Sequence, residues 1–218
     1  MTFETQSASR RQFLGSTAAI ASGLWLGGAS RAVAAPAAEV VSIDVISQQP
    51  DIYCGWPTLA RRKNGELLLV WSGGREAHVC PFGRVDLMRS SDGGRSWTYP
   101  RTLIDSAIDD RDAGVLETAR GSLLVTTFSS LAYEPGLAKA EADAKVGKSK
   151  WDAAKLARWI GARDRISADQ RQEQLGNWMT RSTDGGIHWS ARYRVPLNSP
   201  HGPVQLEDGR LLYAGKAL

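Results

Sequence analysis

Three stretches share one order of apolar and polar positions: WPTLARRKNGELLLVW (56–71), DAGVLETARGSLLVTTF (112–128) and HGPVQLEDGRLLYAGK (201–216). Each has a short apolar segment, a polar turn closed by Gly65, Gly121 or Gly209, and a second run that is nearly all apolar. A glycine turn between two such segments predicts a β-hairpin. After the first two hairpins comes a third β-type segment, RVDLMRSS (84–91) or NWMTRST (177–183). An octapeptide follows, SSDGGRSW (90–97) or STDGGIHW (182–189), and then a fourth segment, WTYPRTLI (97–104) or WSARYRVPL (189–197). Four antiparallel strands in chain order, repeated in tandem, predict an all-β fold built of β-propeller blades.

The spacing between repeats locates one interruption. Gly65 precedes Asp92 by 27 residues, whereas Gly121 precedes Asp184 by 63. The excess falls between about residues 131 and 176, a segment rich in Ala, Lys, Asp and Gln and poor in β-branched residues. Leu156, Trp159 and Ile160 recur there at helical spacing, and Ser167 with Gln170 forms a capping-box signature. The expected layout is therefore blade one over about 53–104, blade two over about 112–197 with a helical insertion at 131–176, and a partial blade three at 201–218. A propeller hides its strand edges only by closing, so the sequence is expected to be the front part of a longer protein.

Composition changes this picture mainly at the start of the chain. Residues 1–34 carry the pair Arg10-Arg11, then Phe13-Leu14, an apolar run without acidic residues, and the small-residue site Ala32-Val33-Ala34. That pattern predicts a twin-arginine export signal and a periplasmic or secreted product. Without it, 24 basic residues face 22 acidic ones, so the formal charge of +4 falls to +2. Such a balance gives no reason to expect a nucleic-acid partner, and no other stretch is apolar enough to span a bilayer. Cys54 and Cys80 would sit in an oxidising compartment, as one bridge or as two free thiols. The eight tryptophans fall mostly near turns and strand ends, where they plug a repeated β-unit or stack on sugars.

The octapeptide resembles the Asp-box, or BNR repeat, of sialidases and related propeller proteins. Ser90, Asp92, Gly94 and Trp97 match it, as do Ser182, Asp184, Gly186 and Trp189, with His188 standing where Ser or Thr is usual. The resemblance covers nearly all of the chain after the signal and implies about two and a half of about six blades. It implies a structural turn between third and fourth strands, on the rim away from the active site. The aspartates are suited to accepting N–H bonds across their own turn, and the glycines to positive φ.

The opposite rim then receives SGGREAHVCPFG (72–83), DSAIDDRDAG (105–114), the helical insertion and NSPHG (198–202). These hold Arg75, Glu76, His78, Asp109, Asp110, Arg111, Asp112 and His201. Similarity to sialidases implies an exo-acting glycoside hydrolase of terminal sugars, needing no cofactor or metal, with a glycan or small carbohydrate as partner. Arg75 and Arg111 are the expected anion binders, since a guanidinium meets a carboxylate bidentately, with His78 and His201 beside the substrate. Asp110 or Asp112 is the expected acid, with Glu76 behind them. The other reading of DDRD is a solvated turn with an internal ion pair. The sequence departs from the family where Cys54-Gly55-Trp56-Pro57 stands for Phe-Arg-Ile-Pro, losing the arginine, and where no aspartate follows the second strand. The family's tyrosine–glutamate nucleophile would lie past Leu218. A non-catalytic Asp-box propeller that binds glycans or a protein is the alternative.

Overall fold

A computed structural model describes residues 38–47 and 49–217; the expected export signal lies outside them. All strands and helices fall in one compact unit, Asp44–Leu218. Strands β1 (Tyr53–Arg61), β2 (Leu67–Arg75), β3 (Arg84–Ser90) and β4 (Arg101–Ile104) form one antiparallel sheet in chain order. A second sheet repeats the order with β5 (Asp109–Glu117), β6 (Leu123–Ser130), β7 (Gly176–Ser182) and β8 (Tyr193–Arg194). The third hairpin is short, pairing β9 (Val204–Gln205) with β10 (Leu211–Leu212). The protein is thus mainly β, built from four-stranded antiparallel sheets, and the described residues supply two of them and one hairpin.

The two sheets bury their facing side chains in one core. Leu68, Val70, Val85, Leu87 and Ile104 from the first sheet meet Ala113, Val115, Leu123 and Val125 from the second. Alternation along each strand puts these residues on one face, and the exclusion of their apolar surface from water is the main stabilising term. Polar bonds fix the relative position of the sheets: Ser72 Oγ donates to Asp110 O at 3.0 Å, and Asp110 N donates to Gly83 O at 2.9 Å. At the other end Arg62 Nε reaches Glu117 at 3.0 Å, and Arg101 donates to the carbonyls of Gly186 and Ile187, both at 3.1 Å.

Between β6 and β7 lie helices α1 (Glu134–Lys145), α2 (Ala153–Arg163) and α3 (Ala168–Gln174). Asp152 caps α2, and the Ser167–Gln170 capping box opens α3. Leu156, Trp159 and Ile160 do share one face, which packs with Tyr133, Leu137, Cys80 and Phe82 in a second apolar cluster. Trp159 is buried there and Trp151 meets it edge-on at 4.7 Å, so both rings take part in packing.

Two expectations need correction. DDRD is not a loop: β5 already begins at Asp109, and the segment is buried against β6 and Gly83. The fourth strands are much shorter than the sequence suggests, because Trp97 and Trp189 belong to the preceding turns and Pro100 and Pro196 lack an N–H for the ladder. Both cysteines are free thiols, Cys54 exposed on β1 and Cys80 buried in the helical cluster.

Candidate functional site

The topology puts the ends of β2, the starts of β1 and β5, and the β2–β3 loop at one end of the sheets. The octapeptide turns lie at the opposite end, after β3 and β7. There Asp92 Oδ1 accepts from Ser90 Oγ (2.8 Å) and Ser96 N (3.0 Å), and Oδ2 from Ser96 Oγ (2.6 Å). Trp97 Nε1 closes the turn on Gly94 O at 3.1 Å. In the second copy Asp184 takes the same bonds from Ser182 and His188 N, and His188 Nδ1 sits 2.7 Å from Asp184 Oδ2. His188 therefore fills the place of the Ser96 hydroxyl. These donors hold both carboxyls well below the ordinary carboxylate range. Each carboxylate is thus engaged on both oxygens by its own turn.

At the other end, the two arginines have different fates. Arg75 is 1 % exposed, and its fork grips Asp109 at 2.7 and 2.9 Å. It also donates to Ser72 Oγ and to the carbonyl of His78, both at 2.8 Å. Gly83 makes this possible, because a Cβ there would lie 2.0 Å from Asp109 Oδ1 and 2.2 Å from Arg75 Nη1. Arg75 is a structural cation. Burial pushes the Asp109 carboxyl upward, and the Arg75 fork opposes that.

Arg111 keeps donors in hand. Its guanidinium lies 5.0 Å from the Trp56 ring and 5.9 Å from Phe128, with Nη1 4.0 Å from Asp109 and Nη2 3.5 Å from His78 Nε2. Its Nε, like that of Arg75, is buried without a partner. Arginine only donates, so the contact to His78 makes Nε2 the acceptor. Asp112 is half-buried next to it, and its buried Oδ1 is also unpartnered. Burial raises the Asp112 carboxyl, against the opposing pull of Arg111, Arg75, His201 and His78. His201 Nδ1 meets Thr58 Oγ1 at 2.9 Å. Thr58 spends its single proton on Ala113 O at 2.8 Å, so His201 Nδ1 is the donor and Nε2 is left free to accept.

Asp110 and Glu76 face elsewhere. Asp110 is wholly buried among hydroxyls, accepting from Ser129 Oγ (2.5 Å), Ser106 Oγ (3.0 Å) and Ser106 N (2.6 Å), with Arg192 at 3.7 Å. Burial pushes it up to about 6. Glu76 turns to the insertion, accepting from Arg158 Nε (2.8 Å) and Trp159 Nε1 (2.9 Å), which hold it below its ordinary range. It anchors α2. The residues brought together are thus Arg111, Asp112, His78 and His201, with Arg75 and Asp109 beneath them.

Sequence reasoning missed the aromatic side of the cluster and its backbone. Trp56 and Asp112 are the non-glycine residues with positive φ among those described, both at 51°. Each stands nine positions before its hairpin glycine, Gly65 or Gly121, and each sits in a register shift of its strand pair. The repeat therefore forms the same strained bulge twice, aiming a different side chain at one place. Trp56 meets His78 at 4.9 Å and Tyr53 at 6.1 Å. The repeat register that the hairpin glycines define was the available signal. A hollow of about 690 Å³ lies between the second sheet and the β9–β10 hairpin, lined by Leu124, Met179 and Tyr193 among others. Its Arg210 and Asp208 pair with each other.

No family model and no curated protein matches the sequence. Among solved structures, the chain is similar to a protein of unknown function from Dyadobacter fermentans, with a TM-score of 0.51 and 19% identity, over 77% of this chain and 47% of that one. It is also similar to a Hadza microbial sialidase, with a TM-score of 0.50 and 14% identity, over 73% of this chain and 31% of that one. The chain thus spans about half and about a third of the length of these neighbours, and at such identity the likeness is one of fold.

Proposed function

We propose that the protein is an exo-acting glycoside hydrolase resembling sialidases, built on a β-propeller whose site lies at the rim opposite the Asp-boxes. The observation that carries this reading is the juxtaposition of Arg111, whose terminal nitrogens make only long contacts of 3.5 and 4.0 Å, with the half-buried carboxyl of Asp112. In this reading Arg111 takes an anionic or hydroxyl oxygen of the sugar, and Asp112 protonates the leaving oxygen. Burial favours the protonated form that such an acid must hold near neutral pH. Asp109 is unsuited to that role, since the Arg75 fork occupies both of its oxygens. The fold likeness to a sialidase supports the class of reaction at the coarsest level. Export through the twin-arginine route belongs to the same proposal and rests on Arg10 and Arg11.

One observation favours a second reading, a propeller that binds glycans without cleaving them. Only one of the two expected arginines is free to bind, which is a thinner anion site than the resemblance implies. Hydrolysis of a fluorogenic sialoside and of a panel of neutral glycosides by the exported protein separates the two. The hydrolase reading expects turnover that falls roughly 10²–10⁴-fold in Asp112→Asn. Asn accepts the positive φ of this position, so the fold is retained. Sugar binding without cleavage of any member of the panel supports the second reading.

A further inference from the structure

The aromatic residues beside Arg111 are in an arrangement that packing alone does not explain. Trp56 holds a positive φ of 51°, an outlier for a bulky aromatic side chain. Its ring is half-buried, flanked by Arg111 at 5.0 Å and Arg75 at 5.4 Å. These two cations share Asp109, so they support the ring from one region. Tyr53 and His78 meet Trp56 edge-on or tilted and remain exposed, Tyr53 at 42%. The Tyr53 ring also covers Gly55, where an added Cβ would lie 3.0 Å from its Cε1. Gly55 is the position where the resembled pattern carries its arginine, so a ring fills the place of a cation. The same bulge one repeat later presents Asp112. The same conformation recurs at equivalent positions, one setting the Trp56 ring against Arg111 and the other keeping the Asp112 carboxyl within electrostatic reach of it, which points to placement for a ligand.

We infer that Trp56 and Tyr53 form a stacking subsite for the apolar C–H face of a pyranose ring whose charged or hydroxyl substituent binds Arg111. This rests on the proposed glycan site but not on hydrolysis. A ring that contacts both groups meets the terminal nitrogens of Arg111, which make only long contacts of 3.5 and 4.0 Å within the protein, while its face excludes water from the indole. Specificity then comes from the ring as much as from the charge. A site with one free arginine and an aromatic wall prefers a sugar acid to a small carboxylate.

The test is saturation-transfer NMR and calorimetric titration of the full chain with N-acetylneuraminate, glucuronate and acetate as probes, free acids that offer no glycosidic bond to cleave. The sugar acids are expected to receive saturation at ring C–H protons from aromatic protons and to bind at least tenfold more tightly than acetate. Trp56→Met fills the volume without a π-face and is expected to weaken both sugar acids at least fivefold while leaving acetate within twofold. Tyr53→Ala, at an exposed position, is expected to weaken them about two- to threefold. Trp56→Phe is expected to stay near the parent. Arg111→Met should weaken all three probes alike. Circular dichroism and melting curves confirm that each variant is folded, and Tyr53→Ala carries the test should Trp56→Met not fold. Sugar binding unchanged in folded Trp56→Met and Tyr53→Ala, or no sugar binding by the parent, overturns the subsite. Sugar binding that depends on the two rings, in a protein that hydrolyses nothing, upholds it and removes only the hydrolase reading.

Discussion

Arg75 and Arg111 are the same residue type a few ångströms from the same carboxylate, yet burial and partners give them separate work. Arg75→Met leaves Asp109 as an unpaired charge in the interior, and removing one partner of a buried pair costs about 3–5 kcal/mol. Urea denaturation is expected to show that loss, whereas Arg111→Met, whose guanidinium has no tight ion pair, is expected to unfold near the parent and to lose ligand binding. Asp110 supplies a pH signature of its own. Its ordinary value of 3.8 is raised to about 6 by burial, so between those pH values the folded carboxyl keeps a proton that the unfolded chain has released. The stability it contributes is complete below the lower value, declines as pH rises through the window, and levels off above about 6. The full change is about 3 kcal/mol. Denaturation midpoints followed from pH 4 to 7 are expected to fall in the parent and to flatten in Asp110→Asn.

At the scale of elements, strands were legible where apolar runs flank a glycine turn, because that pattern reports burial and reversal together. Gly65 and Gly121 have φ of 89° and 80°, as such turns require. The capping box at Ser167 was legible for the same reason: the two side chains act within their own segment. The start of β5 was not legible. Four charged residues, DDRD, read as a solvated turn, and only tertiary partners (the Arg75 fork, the Ser106–Ser129 cage and the Gly83 carbonyl) make a buried strand of them. His188 shows the opposite case, an apparent departure from a motif that keeps its chemistry. His188→Ser restores the Ser96 type of bond and is expected to melt with the parent, while His188→Ala loses the second oxygen's side-chain donor and is expected to melt lower. Equal melting of the two variants would remove the role given to the imidazole.

At the scale of the whole molecule, strand order separates the octapeptide turns from the proposed site. Antiparallel meanders send alternate turns to opposite ends, so octapeptides at the β3–β4 and β7–β8 turns assign the proposed site to the other end of the sheets. That step needed no distances. Which of the reactive residues converge did need them: Asp110 and Asp112 are two apart, yet a bulge at Asp112 and the cage around Asp110 send them to different surroundings. Trp56 was passed over because its signal lies in the repeat register rather than in its own neighbourhood.

The division between rims is the central claim, and paired substitutions at the two ends test it. Asp92→Ala and Asp112→Asn are compared by melting temperature and by turnover of the best glycoside per folded molecule. The account predicts that Asp92→Ala melts lower with turnover unchanged, and that Asp112→Asn melts with the parent while turnover falls at least about 100-fold. Turnover lost in folded Asp92→Ala, or retained in Asp112→Asn, would contradict it.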